Sequence, residues 1–242
     1  MLKNQIKKVL NFFGYQLRKN HVEDPEAVEL REFIHRVNWF KNYGINTILD
    51  IGANEGQFAK KIVTLFPNAR LFCFEPLEAP FYKLEETFKD NKNVVLNHFA
   101  LGEVDGELTI NLNEYSPSSS FLKMDESHKD SFSYAVATTT SKVQVKQLDG
   151  LELNLVEPIL IKIDVQGFED KVIAGGMATI KKAKVIIIEV SFKELYEKQP
   201  LFTDIYRTLT QSNFRYYGNL EQLLSPHNGE ILQADAIFIN NV

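Results

Sequence analysis

Residues 48–58, with the sequence ILDIGANEGQF, give the strongest indication of the fold of this chain. They combine a short apolar strand, a run of small residues and the start of a helix, and open α/β sheets bind ligands beyond the carboxyl ends of such strands. Gly52 permits a tight turn with nothing projecting into a ligand, and Gly56 lets the helix begin close to the strand. Asn54 adopts the left-handed conformation more readily than most residues. Asp50 ends the strand, where its carboxylate can accept hydrogen bonds from a cationic or amino group.

On either side of this segment, short apolar strands alternate with helical stretches. The alternation predicts an α/β fold with a mostly parallel, doubly wound sheet and helices on both faces. Strands are predicted at residues 47–51, 70–75, 94–100, 107–112, 142–147, 159–164, 185–190, 214–217 and 236–240. Helices are predicted at residues 27–42, 57–66, 81–89, 168–180 and 193–212.

The length of 242 residues fits one large domain with small additions. We divide the chain into an N-terminal helical segment at residues 1–44 and a domain at residues 45–242. That domain contains an inserted loop at residues 113–135 that is rich in Ser, Asp and Lys. Loops of this length are often lids or binding loops, and a mobile surface insert is the alternative.

The composition excludes several classes of protein. A net charge of −5 makes a nucleic acid a poor candidate partner. The single cysteine, Cys73, cannot form an internal disulfide, which favours a cytoplasmic location. No apolar run approaches the roughly 20 residues that span a bilayer. Lysines interrupt the apolar residues near the N-terminus, so no secretory signal is visible.

Residues 1–20 carry five cationic side chains and no acidic one, and their apolar residues recur at steps of three or four. This pattern is typical of a basic amphipathic helix, which can lie on an anionic membrane surface. In that interpretation the protein has a peripheral contact with the inner face of the membrane. A helix that docks on its own domain, or a mobile terminus, also accounts for the pattern.

Two further positions extend the glycine turn into a candidate nucleoside site. Glu75 ends the second predicted strand, nineteen positions after Gly56. An acid at about this distance commonly holds a ribose, because two acceptor oxygens suit two vicinal hydroxyls. Ala100 and Leu101, at the end of the third strand, are candidates for contacts with an adenine ring. The turn has neither the G-x-G-x-x-G spacing of dinucleotide enzymes nor the lysine of a Walker A loop.

Several motifs, in order, resemble those of the FkbM family of methyltransferases. They are ILDIGANEG at residues 48–56, FEP at 74–76, ALG at 100–102, SSS at 118–120, KIDVQGFE at 162–169 and IIEV at 187–190. The resemblance implies a Rossmann-like methyltransferase sheet with a final antiparallel strand, and S-adenosyl-L-methionine as the cofactor. It also implies O-methylation of a sugar, a glycan or another hydroxyl-bearing metabolite. Gln166 stands where the family pattern D-V-E-G-x-E has a glutamate. This difference keeps a hydrogen-bonding side chain, as an amide, and loses a charge.

The candidate catalytic residues lie around the KIDVQGFE motif. Asp164 ends a central buried strand and is the first candidate for the base or for orienting the acceptor. Glu169 is a second catalytic candidate, although its carboxylate could instead satisfy a helix N-terminus. Lys162 points to the same side of the sheet as Asp164 and could pair with a carboxylate or hold an anionic substrate. The residues expected to line the acceptor pocket are Ser119, Ser120, Gln166 and Glu189.

Alternatives remain at this stage. No tight ligand spacing indicates a metal, so we expect none. A non-catalytic module that keeps the cofactor pocket is one alternative, and Gln166 is the residue that supports it. A nicotinamide-dependent oxidoreductase on a similar sheet is another. The identity of the acceptor depends on loops that the fold does not determine.

Overall fold

The computed structural model describes residues 24–113, 137–196 and 198–241. The chain divides into two compact units, residues 1–35 and residues 36–242. The helices are α1 Pro25–Val37, α2 Gln57–Leu65, α3 Glu78–Phe88, α4 Glu169–Gly175, α5 Met177–Ile180 and α6 Phe202–Gln211. The strands are β1 Thr47–Ile51, β2 Arg70–Phe74, β3 Val94–Asn97, β4 Ala100–Leu101, β5 Gly106–Asn113, β6 Ala137–Lys146, β7 Ile159–Ile163, β8 Ala183–Ser191, β9 Phe214–Leu224 and β10 Ile231–Asn240.

The larger sheet has seven strands in the order β3-β2-β1-β7-β8-β10-β9. Strands β3, β2, β1, β7 and β8 pair in parallel, and β10 is antiparallel to both of its neighbours. This confirms the predicted α/β fold with a mostly parallel sheet and one antiparallel strand. A second sheet of three strands has the order β4-β6-β5. None of the helices in the described ranges is both long enough and apolar enough for a membrane span.

The connection order creates a switch point between β1 and β7. From β1 the chain moves outward to β2 and β3, and it later returns to β7 on the other side of β1. Ligands in open α/β sheets bind in the crevice outside the carboxyl ends of strands at such a point. The predicted glycine turn follows β1, and the KIDVQGFE motif begins in β7 and extends past its end.

The two faces of the sheet differ in character. The isoleucines of β7, at 159, 161 and 163, are fully buried in the main hydrophobic core. Lys162 alternates with them and therefore belongs to the opposite face. Asp50 in β1 is the register partner of Lys162. Farther along the same face, Glu189 in β8 and Asp235 in β10 are register partners of each other. The strand registers thus bring charged residues from four strands together on one face.

Four predicted elements are interrupted or much shorter in the structure, and several strands are longer. Strands β6, β9 and β10 extend well beyond the predicted ranges 142–147, 214–217 and 236–240. The helix predicted at residues 27–42 ends as α1 at Val37 and is followed by a 3-10 helix at Asn38–Tyr43. The strand predicted at residues 94–100 is divided between β3 in the large sheet and β4 in the small one. The helix predicted at residues 168–180 breaks at Gly176, where a Cβ would approach the Leu148 side chain to 2.8 Å. The helix predicted at residues 193–212 forms only as α6. Pro200 disfavours a helix over the residues that precede it.

Candidate active site

The glycine turn after β1 runs through three residues in the left-handed region. Gly52, Asn54 and Gly56 have φ angles of 84°, 48° and 86°. A Cβ on Gly52 would overlap the backbone carbonyl of Asp164, so this glycine allows the ends of β1 and β7 to approach each other. A Cβ on Gly56 would lie 3.1 Å from the ring of Phe88, so Gly56 allows α2 to pack against α3 rather than against the strand. The predicted left-handed conformation of Asn54 is confirmed.

Glu75 faces the glycine turn from the end of β2. Its side chain is buried, and its Oε2 accepts a hydrogen bond from the Asn54 backbone N–H at 2.9 Å. Its Oε1 accepts a second bond from the Leu77 N–H at 2.8 Å. Burial raises the pKa of Glu75 to about 7, although both backbone donors act to lower it. The carboxylate therefore lies where a ribose would be held, and that role stays a prediction.

Two buried oxygen atoms, one near the end of β1 and one in the turn after it, lack hydrogen-bond donors among the described residues. Within the described residues, no donor reaches Asp50 Oδ2 or Asn54 Oδ1. Asp50 is 1% exposed, and burial raises its pKa to about 7, with Lys162 lowering it and Asp164 raising it. A buried acceptor without a donor is costly, so both atoms fit a ligand that brings N–H groups or positive charge. S-adenosylmethionine, with its ammonium and sulfonium groups, meets this requirement.

The two candidate adenine contacts lie in β4 and are buried. Ala100 packs in a small core with Ile110, Val143 and Val145, and Leu101 belongs to the main core. Their side chains therefore serve packing, and a contact with adenine through this segment stays a prediction.

Lys162 is the cation at the centre of the crevice. Its Nζ lies 2.8 Å from Asp164 Oδ2 and 3.9 Å from Asp235 Oδ1. Burial would lower the pKa of Lys162, but attraction by Asp164, Asp235 and Asp50 raises it above the ordinary value. Burial would likewise raise the pKa of Asp164, but Lys162 and Gln166 hold it below the ordinary value. The pairing with a carboxylate, one of the two roles expected for Lys162, is the one found.

Gln166 joins two carboxylates. Its Nε2 donates to Asp164 Oδ1 at 2.8 Å and to Glu189 Oε2 at 2.9 Å. Its Oε1 accepts from the hydroxyl of Tyr196 at 2.9 Å. Burial raises the pKa of Glu189 well above its ordinary value, and Asp164 adds to the effect. The predicted site residues Asp164, Gln166 and Glu189 thus form one hydrogen-bonded group.

Glu169 has the structural role that was its alternative interpretation. Its buried Oε1 accepts hydrogen bonds from the N–H groups of Val165 and Gly167, each at 3.1 Å. Burial raises its pKa to about 7, although the backbone donors act to lower it. These contacts fix the loop after β7, and a direct catalytic part for Glu169 stays a prediction.

The sequence prediction missed two residues of the site, Asp235 and Tyr196. Asp235 stands within the apolar strand β10, and an acid inside such a strand was a signal that could have been used. Tyr196 is fully buried in a segment that was predicted as helix. Three predicted features, namely Ser119, Ser120 and the segment 1–20, lie outside the described residues. The inserted loop at 113–135 also falls almost entirely outside them.

Within the described ranges, no group of three His, Cys, Asp or Glu residues could hold a metal.

The crevice as a whole is strongly acidic. The carboxylates on this side of the sheet are those of Asp50, Glu75, Asp164, Glu189 and Asp235. Lys162 is a buried cation among them, and Lys61 also acts on Asp235. Such a site favours a cationic ligand over an anionic one.

Comparisons with known proteins agree with the motifs. The profile described as the methyltransferase FkbM domain matches residues 50–216. A curated protein, the 2-O-methyltransferase NoeI of Sinorhizobium fredii, is 32% identical over 161 residues. That alignment covers 63% of this chain and 66% of NoeI, slightly less than two thirds of the relative's length.

Solved structures show only a distant likeness to this chain. The crystal structure of EvdMO1 has a TM-score of 0.46 at 10% identity, covering 98% of this chain and 47% of EvdMO1. The plantazolicin methyltransferase BpumL, solved with SAH, has a TM-score of 0.45 at 13% identity. The match covers 90% of this chain and 86% of BpumL.

Proposed function

The chain belongs to the FkbM methyltransferase family, and we propose that it methylates a hydroxyl group of a sugar, a glycan or another polyhydroxyl metabolite. The family predicted from the sequence motifs is thereby confirmed, and so is S-adenosyl-L-methionine as the cofactor. Membership in a methyltransferase family favours the transferase over the oxidoreductase considered from the sequence. The choice of a hydroxyl acceptor is supported by the likeness to NoeI, whose name describes 2-O-methylation.

The observation that carries the proposal is the pair of buried acceptors without donors at the switch point. Asp50 Oδ2 lies near the end of β1, and Asn54 Oδ1 lies in the following turn, where Glu75 binds the Asn54 N–H. When bound, S-adenosylmethionine supplies a methyl group activated on a sulfonium sulfur. Asp50 and Asn54 would hold its polar and cationic groups, and Glu75 its ribose hydroxyls.

Asp164 is the residue that we assign to the acceptor hydroxyl. Its side chain is 30% exposed, and its pKa is lowered, so it is ionised and accessible at neutral pH. An ionised carboxylate can orient a hydroxyl group and accept its proton as the oxygen becomes a nucleophile. Lys162 and Gln166 each hold one oxygen of this carboxylate, which fixes its direction. The protein's contribution is therefore mainly positioning, together with the acceptance of one proton.

The test is methyl transfer from radiolabelled S-adenosylmethionine to a panel of neutral sugars, amino sugars and oligosaccharides. We expect label in a base-stable ether and a loss of about 100-fold or more in kcat for Asp164→Asn. Asp90→Asn, at an exposed aspartate, is the matched control and should keep the wild-type rate. Label in an ester or an amine, or an unchanged rate for Asp164→Asn, would contradict the proposal.

A further inference from the structure

The amide of Gln166 is occupied by protein groups rather than open to a substrate. Each hydrogen of an NH2 group can serve one acceptor, and Nε2 of Gln166 has two acceptors, one on Asp164 and one on Glu189. The carbonyl oxygen accepts from Tyr196. A side chain predicted to bind the substrate therefore links three elements of the protein.

The backbone around Gln166 is held in a specific conformation. Gln166 has a φ of 55° and Gly167 a φ of 95°. The left-handed region is uncommon for a residue other than glycine and persists where neighbouring contacts enforce it. Glu169 provides these contacts, because its carboxylate binds the N–H groups on both sides of Gln166.

The partner of the amide oxygen is held equally firmly. The Tyr196 side chain is fully buried, and its backbone N–H donates to Oε1 of Gln199. The N–H of Leu195 donates to the same oxygen at 2.8 Å, and Gln199 is itself buried. The irregular segment after β8 thus fixes the position of the Tyr196 hydroxyl, which donates to the amide oxygen of Gln166.

The direction of the amide matters because its oxygen accepts hydrogen bonds and its NH2 group donates them. A reversed amide would point its oxygen at two carboxylates and its NH2 group at the Tyr196 hydroxyl, which can also accept a hydrogen bond. The two carboxylates therefore favour the orientation in which both receive a donor, and the Tyr196 hydroxyl completes it by donating to the amide oxygen. A glutamate at position 166, as in the family pattern, would instead place a third carboxylate between Asp164 and Glu189.

We propose that Gln166 is a positioning residue, whose amide, bound at its oxygen by Tyr196, holds the carboxylates of Asp164 and Glu189 together without adding a charge. The inference rests on the proposed function only in making Asp164 the group that faces the acceptor. Its consequence is that an uncharged amide donates to both Asp164 and Glu189 at every pH, whereas a glutamate at position 166 would have to be protonated to donate to either of them.

The charges that face this group come from several elements. The groups that act electrostatically on Asp164, Glu189 or Tyr196 are Lys162 on β7, Glu169 on α4 and Asp235 on β10. Asp50 and Glu75 on β1 and β2 also interact with Asp164. Since all of these except Lys162 are acids, an added carboxylate at position 166 would take up a proton in the folded state. Stability would then fall as the pH rises.

The test is thermal unfolding of the full chain at pH 5.5 and pH 8.5. Gln166→Glu should lie within about 2 °C of the wild type at pH 5.5 and fall about 4–8 °C below it at pH 8.5. Gln222→Glu, at an exposed glutamine on β9, adds the same charge and should follow the wild type at both pH values. A Gln166→Glu deficit that is equal at the two pH values, or absent from both, would overturn the proposal.

Two more variants keep the test decisive. Should Gln166→Glu fail to fold at either pH, Gln166→Met takes its place, because it leaves the two carboxylates without their shared donor. Its deficit should also grow with pH, and a constant deficit would overturn the proposal.

Tyr196→Phe removes the hydroxyl that donates to Gln166 and should lower Tm by about 2–4 °C at both pH values. Its effect should be less than additive with that of Gln166→Met, and additivity would contradict the coupling.

These unfolding measurements require no acceptor and no methyl transfer, so they are independent of the proposed function. Calorimetry with S-adenosylhomocysteine on the same wild-type sample tests the proposed function instead. A pH-dependent deficit in Tm without cofactor binding would contradict the proposed methyl transfer and support the role of Gln166. Cofactor binding with a pH-independent deficit would do the reverse.

Discussion

The carboxylate of Glu75 at the end of β2 accepts a hydrogen bond at 2.9 Å from the backbone N–H of Asn54 in the turn after β1. This contact joins the two parts of the candidate cofactor site across 21 positions of sequence. It also supports a left-handed residue, because Asn54 has a φ of 48°. The site is therefore organised within the protein itself, and its remaining buried acceptors are left for a ligand.

Gly52 is predicted to be required for stability as well as for binding. Gly52→Ala places a Cβ against the Asp164 carbonyl at a φ of 84°. We expect it to lower the free energy of unfolding by about 3 kcal/mol or more. Gly106→Ala is the matched control, since nothing lies within 4 Å of its Cβ, and it should change stability by about 0.5 kcal/mol or less. Urea unfolding measures both, and equal effects would show that the close approach of β1 and β7 is not needed.

The stability of the protein is predicted to decrease from mildly acidic to mildly basic pH. Burial raises the pKa values of Asp50, Glu75 and Glu169 to about 7, from ordinary values of 3.8 and 4.5. The folded state therefore binds more protons than the unfolded state between these values, so stability falls as the pH rises through that range. Tm without ligand should be higher at pH 5 than at pH 8.

Asp50→Asn removes one of these groups and should make the dependence of Tm on pH shallower. Asp90→Asn, which changes an exposed aspartate in the same way, should leave the dependence unchanged. Differential scanning calorimetry at a series of pH values gives the comparison. A wild-type Tm that rises between pH 5 and pH 8 would mean that these carboxylates are ionised in the folded protein.

Lys162 is predicted to be the most important single charge in the crevice. Lys162→Met removes the buried cation that Asp164 and Asp235 share, while Lys61 still acts on Asp235. Breaking such a pair costs about 3–5 kcal/mol, and we expect a loss of this size at pH 8. The loss should shrink at pH 5.5, because the two carboxylates can then take up protons. Urea unfolding of Lys182→Met, at an exposed lysine, provides the control, and a pH-independent loss would assign Lys162 a packing role only.

The local features of the site could be predicted from the sequence because short-range chemistry determines them. Strand β1 has the predicted bounds, and Asn54 adopts the predicted left-handed conformation. The position of Glu75 follows from the length of one helix and one strand, which is nearly constant in this kind of fold. These features depend on neighbouring residues alone.

The long-range partners could not be predicted in the same way. Asp235 reaches Lys162 only through the antiparallel register of β10 on β8, and no local pattern specifies that register. Tyr196 contacts Gln166 because the segment before Pro200 is irregular, and apolar spacing alone made it resemble a helix. The prediction that Gly52 leaves space for a ligand was also incomplete, because the atom that needs the space belongs to the backbone of Asp164.

Calorimetric titration with S-adenosylhomocysteine shows whether the turn after β1 and Glu75 form a cofactor site, using the wild type, Glu75→Gln and the exposed control Glu85→Gln. We expect one binding site, with affinity weakened by about tenfold or more in Glu75→Gln and unchanged in Glu85→Gln. A wild-type protein that gives no heat of binding, or a Glu75→Gln variant that binds as tightly as the wild type, would contradict this expectation.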